Sequence, residues 1–114
     1  MRKVFIYGDV SLNSVNIPYG YEILVGDGYE FNNKIVYECI DKNIPISVYY
    51  IGNHHTQYNG NVNYKRCKGN NYANIIVCLT FDCNSAIIGY TDFENDKEFI
   101  LNSLIQQGKR FECV

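Results

Sequence analysis

Apolar residues in this chain fall into short runs separated by polar, glycine-bearing punctuation. Lys3 to Tyr7 and Tyr21 to Val25 are mostly apolar runs of strand length, the pattern of strands covered on both faces. The residues between them, which include Pro18 and Gly20, barely hold a crossover, so any first helix there is expected to be a stub. From Asn32 or Asn33, a good N-cap, Ile35, Val36, Cys39 and Ile40 recur at helical spacing until Asn43 and Pro45 stop them. Ile46 to Ile51 then reads as a third strand.

Asn53 to Asn71 is polar and rich in Gly, Asn and His, too long for an idle loop in a small domain. Tyr72 to Phe81 is apolar through Ile75–Leu79, and period alone does not separate strand from helix there. It is read as a buried helix because Ala86 to Tyr90 supplies the next strand. Thr91 to Asp96 is a polar turn. Asn95 to Gln107 is predicted helical, with Phe99, Ile100, Leu104 and Ile105 inward and Gly108 as C-cap. Arg110 to Val114 closes as a short strand. Alternating strands and helices predict an α/β fold: a mostly parallel sheet of about five strands, right-handed crossovers, and helices on both faces.

Composition narrows the function classes. With 46% hydrophobic and 15% aromatic residues, the 114 residues suit one domain with one core, spanning residues 1–114. A net charge of −2, with Lys65, Arg66 and Lys68 as the one basic cluster, gives no electrostatic case for nucleic acid. No stretch has the length of a membrane span, and Val4–Tyr7 is too short for a signal-peptide core. Five cysteines without CxxC spacing are expected as reduced thiols in or near the core, which points to a cytoplasmic protein. His54-His55 sits in polar surroundings and reads as a solvated pair rather than a metal site.

Candidate chemistry gathers at three strand ends: Gly8-Asp9, Gly26-Asp27-Gly28 and Gly89-Tyr90-Thr91-Asp92. In an open parallel sheet, ligands bind outside the carboxyl ends of the strands. Glycine lets backbone approach a ligand, and a helix start at Asn32 offers N–H groups to an anion. Asp9, Asp27, Asp92 and Glu94 would crowd one rim, repelling a bare phosphate but suiting ribose hydroxyls or a Mg²⁺ ion held against a phosphate. No other cofactor is implied. Arg66 or Lys68, from the long loop, could supply positive charge. Tyr29 and Tyr90 are candidate platforms for a base.

The segments KVFIYGDVSLN, YEILVGDGYEFNNKIVYECIDKNIPISVYYIG and AIIGYTDFENDKEFILNSLIQQGKRFECV resemble, in order and spacing, the SLOG superfamily of Rossmann-like nucleotide-binding domains. That group includes DNA-processing protein A, the lonely-guy cytokinin-activating phosphoribohydrolases and NAD-derivative sensors of antiphage systems. The resemblance implies a Rossmann-like fold and a nucleotide-derived ligand of ADP-ribose, NAD-derived or cyclic-nucleotide type. It also implies a homo-oligomer and, in a small phage-like member, sequestration of a defence signal. Two family features differ. The usual GSR after the first strand reads Gly8-Asp9-Val10, and the PGGxGTxxE of the phosphoribohydrolases aligns with Tyr90 to Glu98, keeping the glutamate and losing the glycines. An enzymatic alternative would therefore rest on Glu98 as nucleophile at an N-glycosidic bond, assisted by Asp92 or Asp27. A third alternative is a protein-interaction domain with a vestigial pocket.

Overall fold

A computed structural model describes residues 1–15 and 20–114. Along the chain run β1 (Arg2–Tyr7), a 3-10 turn (Leu12–Ser14), β2 (Tyr21–Gly26), α1 (Glu30–Lys42), β3 (Ile46–Tyr50), β4 (Asn63–Arg66), α2 (Tyr72–Asp82), β5 (Ser85–Ile88), α3 (Glu94–Gln106) and β6 (Arg110–Cys113). All six strands lie parallel in one sheet, in the order β4-β3-β2-β1-β5-β6. This is the expected α/β, Rossmann-like architecture with one more strand. The expected stub helix is the 3-10 turn; Pro18 lies outside the described residues.

Strand alternation splits the core in two. Val4, Ile6, Ile23, Val25, Ile46 and Val48 point to the α1 face, where Ile35, Val36 and Cys39 meet them. Phe5, Tyr7, Leu24, Tyr49, Ala86 and Ile88 point the other way, against Ile75, Ile76 and Leu79 of α2 and Ile100 and Leu104 of α3. Each fully buried side chain of this size contributes roughly 1.5–3 kcal/mol, so both faces are needed to hold so small a sheet.

The extra strand is β4. Asn63-Tyr64-Lys65-Arg66 has no apolar run, and its membership rests on backbone pairing with β3. Residues 51–62 make the β3–β4 crossover without a helix, folding back over α1: the Tyr58 hydroxyl donates to Asn33 Oδ1 at 2.6 Å. Gly60 lies so close to Ile40 that an added Cβ would meet its Cγ1 at 3.0 Å. His55 stacks on Tyr64 with ring centroids 3.9 Å apart, so one of the two histidines is packed rather than solvated.

Two helices also differ from expectation. The N-cap of α1 is Tyr29, in extended backbone, and Asn32 sits inside the first turn with its side chain turned inward. In α3, Phe99 and Ile105 are 42% and 62% exposed, because they lie about 100° and 140° around the helix from Ile100. The reading of Tyr72–Phe81 as helix holds. Asn71 and Asn74 form a reciprocal cap at its start, and Ile75, Ile76, Leu79 and Thr80 are its buried residues. All five thiols are free of disulfides. Cys39, Cys67 and Cys83 are buried, Cys78 is half-buried, and Cys113 is exposed on β6 rather than in the core.

Candidate functional site

The chain builds outward from β1 to β4 and then returns to place β5 on the other flank of β1, so strand order reverses between β1 and β5. Gly8, Gly26 and Gly89 all fall at the carboxyl edge, as expected. At the reversal the backbones stay joined past the strand ends. The Gly89 N–H donates to the Tyr7 carbonyl and the Asp9 N–H to the Tyr90 carbonyl, both at 2.7 Å. Gly8 adopts φ +91°, and a Cβ there would lie 2.5 Å from the Gly89 oxygen. One on Gly89 would lie 2.6 Å from the Asp9 oxygen. These two glycines let backbone approach backbone, and that seam forms the floor of the crevice.

Above that floor lies an open cleft of about 630 Å³, walled by Asp9, Gly28 to Phe31, Lys34 and Tyr90 to Phe93. The N-termini of α1 and α3 both border it, and their N-cap residues, Tyr29 and Phe93, supply no side-chain cap. Thr91 is buried, and its hydroxyl accepts the Phe93 N–H at 3.0 Å, so it is committed to the turn. Lys34 is exposed, one helical turn into α1, and forms no ion pair among the described residues, where Lys65–Asp82 is found instead. Tyr90 is 68% exposed, with its hydroxyl held by Asp92 Oδ1 at 2.5 Å; that bond raises its phenol pKa. Tyr29 differs. It stacks on Phe31 at 4.9 Å, meets Tyr7, Tyr72 and Phe93 edge-on, and donates its hydroxyl to Asp96. Burial, then the Asp96 bond, keep that phenol protonated far above the ordinary range, so Tyr29 is a wall rather than a free platform.

The β2–α1 joint faces elsewhere. An added Cβ on Gly26 would run into the Tyr72 hydroxyl. Asp27 donates its N–H to the Tyr49 carbonyl at 2.8 Å, and its Oδ2 accepts the Thr56 N–H at 3.0 Å, which ties the β3–β4 crossover to the joint. It does not wall the cleft. Asn32 donates from Nδ2 to the Gly26 carbonyl. Four buried polar atoms at or near this joint have no hydrogen-bond partner among the described residues: Tyr7 Oη, Asp27 Oδ1, Asn32 Oδ1 and Tyr72 Oη. Gly28, at φ +106° with nothing within 4 Å of an added Cβ, is the one glycine of the set that opens onto free space.

The structure thus brings Asp9, Gly28, Tyr29, Tyr90, Thr91 and Asp92 to one cleft, and leaves Gly8, Gly26, Asp27 and Asn32 beneath or beside it. Arg66 lies on β4, three strand spacings or roughly 14 Å from β1. Glu98 is exposed on α3 outside the cleft walls; Asp96 is the carboxylate of that helix which turns inward to Tyr29. Among the described residues no three His, Cys, Asp or Glu side chains converge as a metal-ligand set. Sequence reasoning missed Glu30, Phe31, Lys34 and Phe93. Had the start of α1 been placed at Glu30, Lys34 would have stood one turn in, over the same rim. No helix is long and apolar enough to cross a membrane among the described residues. No protein-family model, curated protein or solved structure matches the chain.

Proposed function

We propose that this protein binds a nucleotide or nucleotide-derived signalling molecule, of ADP-ribose, NAD-derived or cyclic-nucleotide type, in the cleft between the β2–α1 and β5–α3 joints. One observation carries the reading: two helix N-termini without side-chain caps and the unpaired Lys34 meet beside the exposed Tyr90 ring. Helix N-termini and an ammonium favour an anion, and an exposed ring offers a stacking face to a base. Asp9, Glu30 and Asp92 share the cleft. Like charges about 4 Å apart cost on the order of 4 kcal/mol near a protein surface, so the phosphate belongs beside Lys34, which stands one helical turn from Glu30 and offsets it, away from Asp9 and Asp92. The ribose hydroxyls belong at Asp9 and Asp92, as donors to carboxylate acceptors. Glu98, outside the cleft, leaves the N-glycosidic reading without its nucleophile, which favours binding over cleavage and a sequestering or sensing role.

The test is calorimetry against AMP, ADP-ribose, NAD and cyclic mono- and dinucleotides, with mass spectrometry of whatever the purified protein carries. Lys34→Ala is expected to weaken binding at least about tenfold, the scale of one charged hydrogen bond, and Tyr90→Ala by a similar factor through lost stacking. Heat from no member of the panel, together with no co-purifying small molecule, would overturn the reading. Release of free base would replace binding by turnover.

A further inference from the structure

We infer that two copies of this chain pair antiparallel along the open edge of β6, in a register centred on Phe111, to make one continuous twelve-stranded sheet. β6 is the last strand of the sheet, all four of its residues are exposed, and no described residue pairs with its outer side. The Val114 N–H donates to the Ile88 carbonyl at 2.9 Å. In a parallel ladder this sets the alternation: Arg110, Glu112 and Val114 turn their backbone groups toward β5, and Phe111 and Cys113 turn theirs outward. An open edge presents unpaired N–H and C=O groups that template pairing with another strand, and on an edge as short and charged as β6 a complementary partner is needed to accept it.

Side-chain charge selects the partner and the register. Arg110 and Glu112 share one face of the sheet, alongside Ser85 and Ile87. With Phe111 opposite Phe111 of a second copy, each Arg110 stands opposite the other copy's Glu112, once on either side of the axis. The two Phe111 residues exchange N–H···O=C bonds, and Cys113 N–H reaches the carbonyl of the other Lys109, whose own N–H is already bound to Leu104 at 3.0 Å. Shifting the centre to Glu112 would keep backbone bonding but set Glu112 against Glu112, and like charges directly opposite are destabilising.

The α2/α3 face adds apolar cover. Gln107 reaches Thr80 of α2, so that flank of α3 faces α2. Leu101 and Ile105, roughly 120° and 160° around α3 from Gln107, lie on the flank away from α2; Ile105 is exposed, and the Phe111 ring of β6 is 38% exposed. The opposite edge of the sheet is built against such pairing. β4 carries Lys65 and Arg66 with no carboxylate in the strand, and Lys65 is held by Asp82 at 2.5 Å.

Sedimentation velocity on the full chain in reducing buffer tests this. A species of twice 13.2 kDa is expected, populated increasingly with concentration. Arg110→Glu and Glu112→Arg should each weaken the dimer about tenfold or more, and the double reversal should restore it to within about threefold. Both side chains are exposed, so circular dichroism should show every variant folded. A chain that stays monomeric, a dimer seen without reductant alone, or one indifferent to the single reversals would overturn the proposal. Glu112→Gln should weaken the dimer; strengthening would assign the register to Glu112 and overturn the one inferred here.

Discussion

At the end of β1, Gly8 holds φ +91° with the Gly89 oxygen in the place a side chain would take; two residues past β2, Gly28 holds φ +106° with nothing in that place. Both follow an apolar strand, both neighbour an aspartate, and both adopt backbone that L side chains rarely occupy. The first belongs to a seam where Asp9 and Gly89 hydrogen-bond across to Tyr90 and Tyr7. The second belongs to the lip of a cleft. The conformation of a glycine says that the chain must turn; its neighbours say why. Glycines at strand ends therefore mark room for a ligand only where no opposing backbone fills that space.

Alanine at the two positions should separate these roles. Gly8→Ala combines backbone strain of roughly 1–3 kcal/mol with an overpacked contact of similar size, so a loss of about 3–5 kcal/mol in denaturant titration is expected. Gly28→Ala carries strain alone, about 1–2 kcal/mol, and should instead disturb whatever the cleft binds. Equal destabilisation by the two would remove the distinction between seam and lip.

Asp27 sharpens the comparison from the other side of the joint. Its carboxylate holds the Thr56 N–H and does not reach the cleft, so Asp27→Ala should cost about 1–2 kcal/mol. It should also raise hydrogen exchange across residues 51–62 while ligand affinity stays unchanged. A tenfold loss of affinity with an unchanged crossover would place Asp27 on the ligand after all.

The sheet, the helix at Tyr72 and the shared edge of Gly8, Gly26 and Gly89 were readable because burial writes itself into apolar runs. β4 was not, because an edge strand made of Asn, Tyr, Lys and Arg joins the sheet through backbone groups that every sequence possesses. The cleft was half readable. Asp9, Tyr90 and Asp92 follow strand ends and are found there, whereas Lys34 depends on where α1 begins. That start was displaced because Asn32, a good capping residue by type, sends its amide to Gly26 instead of to the helix N-terminus. Asp27 misled for a related reason: its partner, Thr56, comes from a crossover whose path over α1 no local pattern reveals.

The smallest effect concerns Tyr72, whose ring meets Tyr29 edge-on at 4.6 Å while its hydroxyl stands buried against Gly26 with no protein partner. Burial first, and then the nearby Tyr7, Asp96 and Asp27, push that phenol well above the ordinary tyrosine range, so it is protonated at neutral pH. A buried hydroxyl without a partner forfeits its hydration and recovers nothing. Tyr72→Phe keeps the aromatic contact and deletes only the unpaired group, so stability should change by less than about 0.5 kcal/mol, toward stabilisation, in urea titration. The size is the point, because with the oxygen gone a Cβ on Gly26 would still meet the Tyr72 ring at 3.2 Å, a tight contact. A loss above about 1 kcal/mol would mean that the hydroxyl is hydrogen-bonded in solution. The β2–α1 joint would then be held by a polar contact rather than by ring packing, which is how the seam at Gly8 is held.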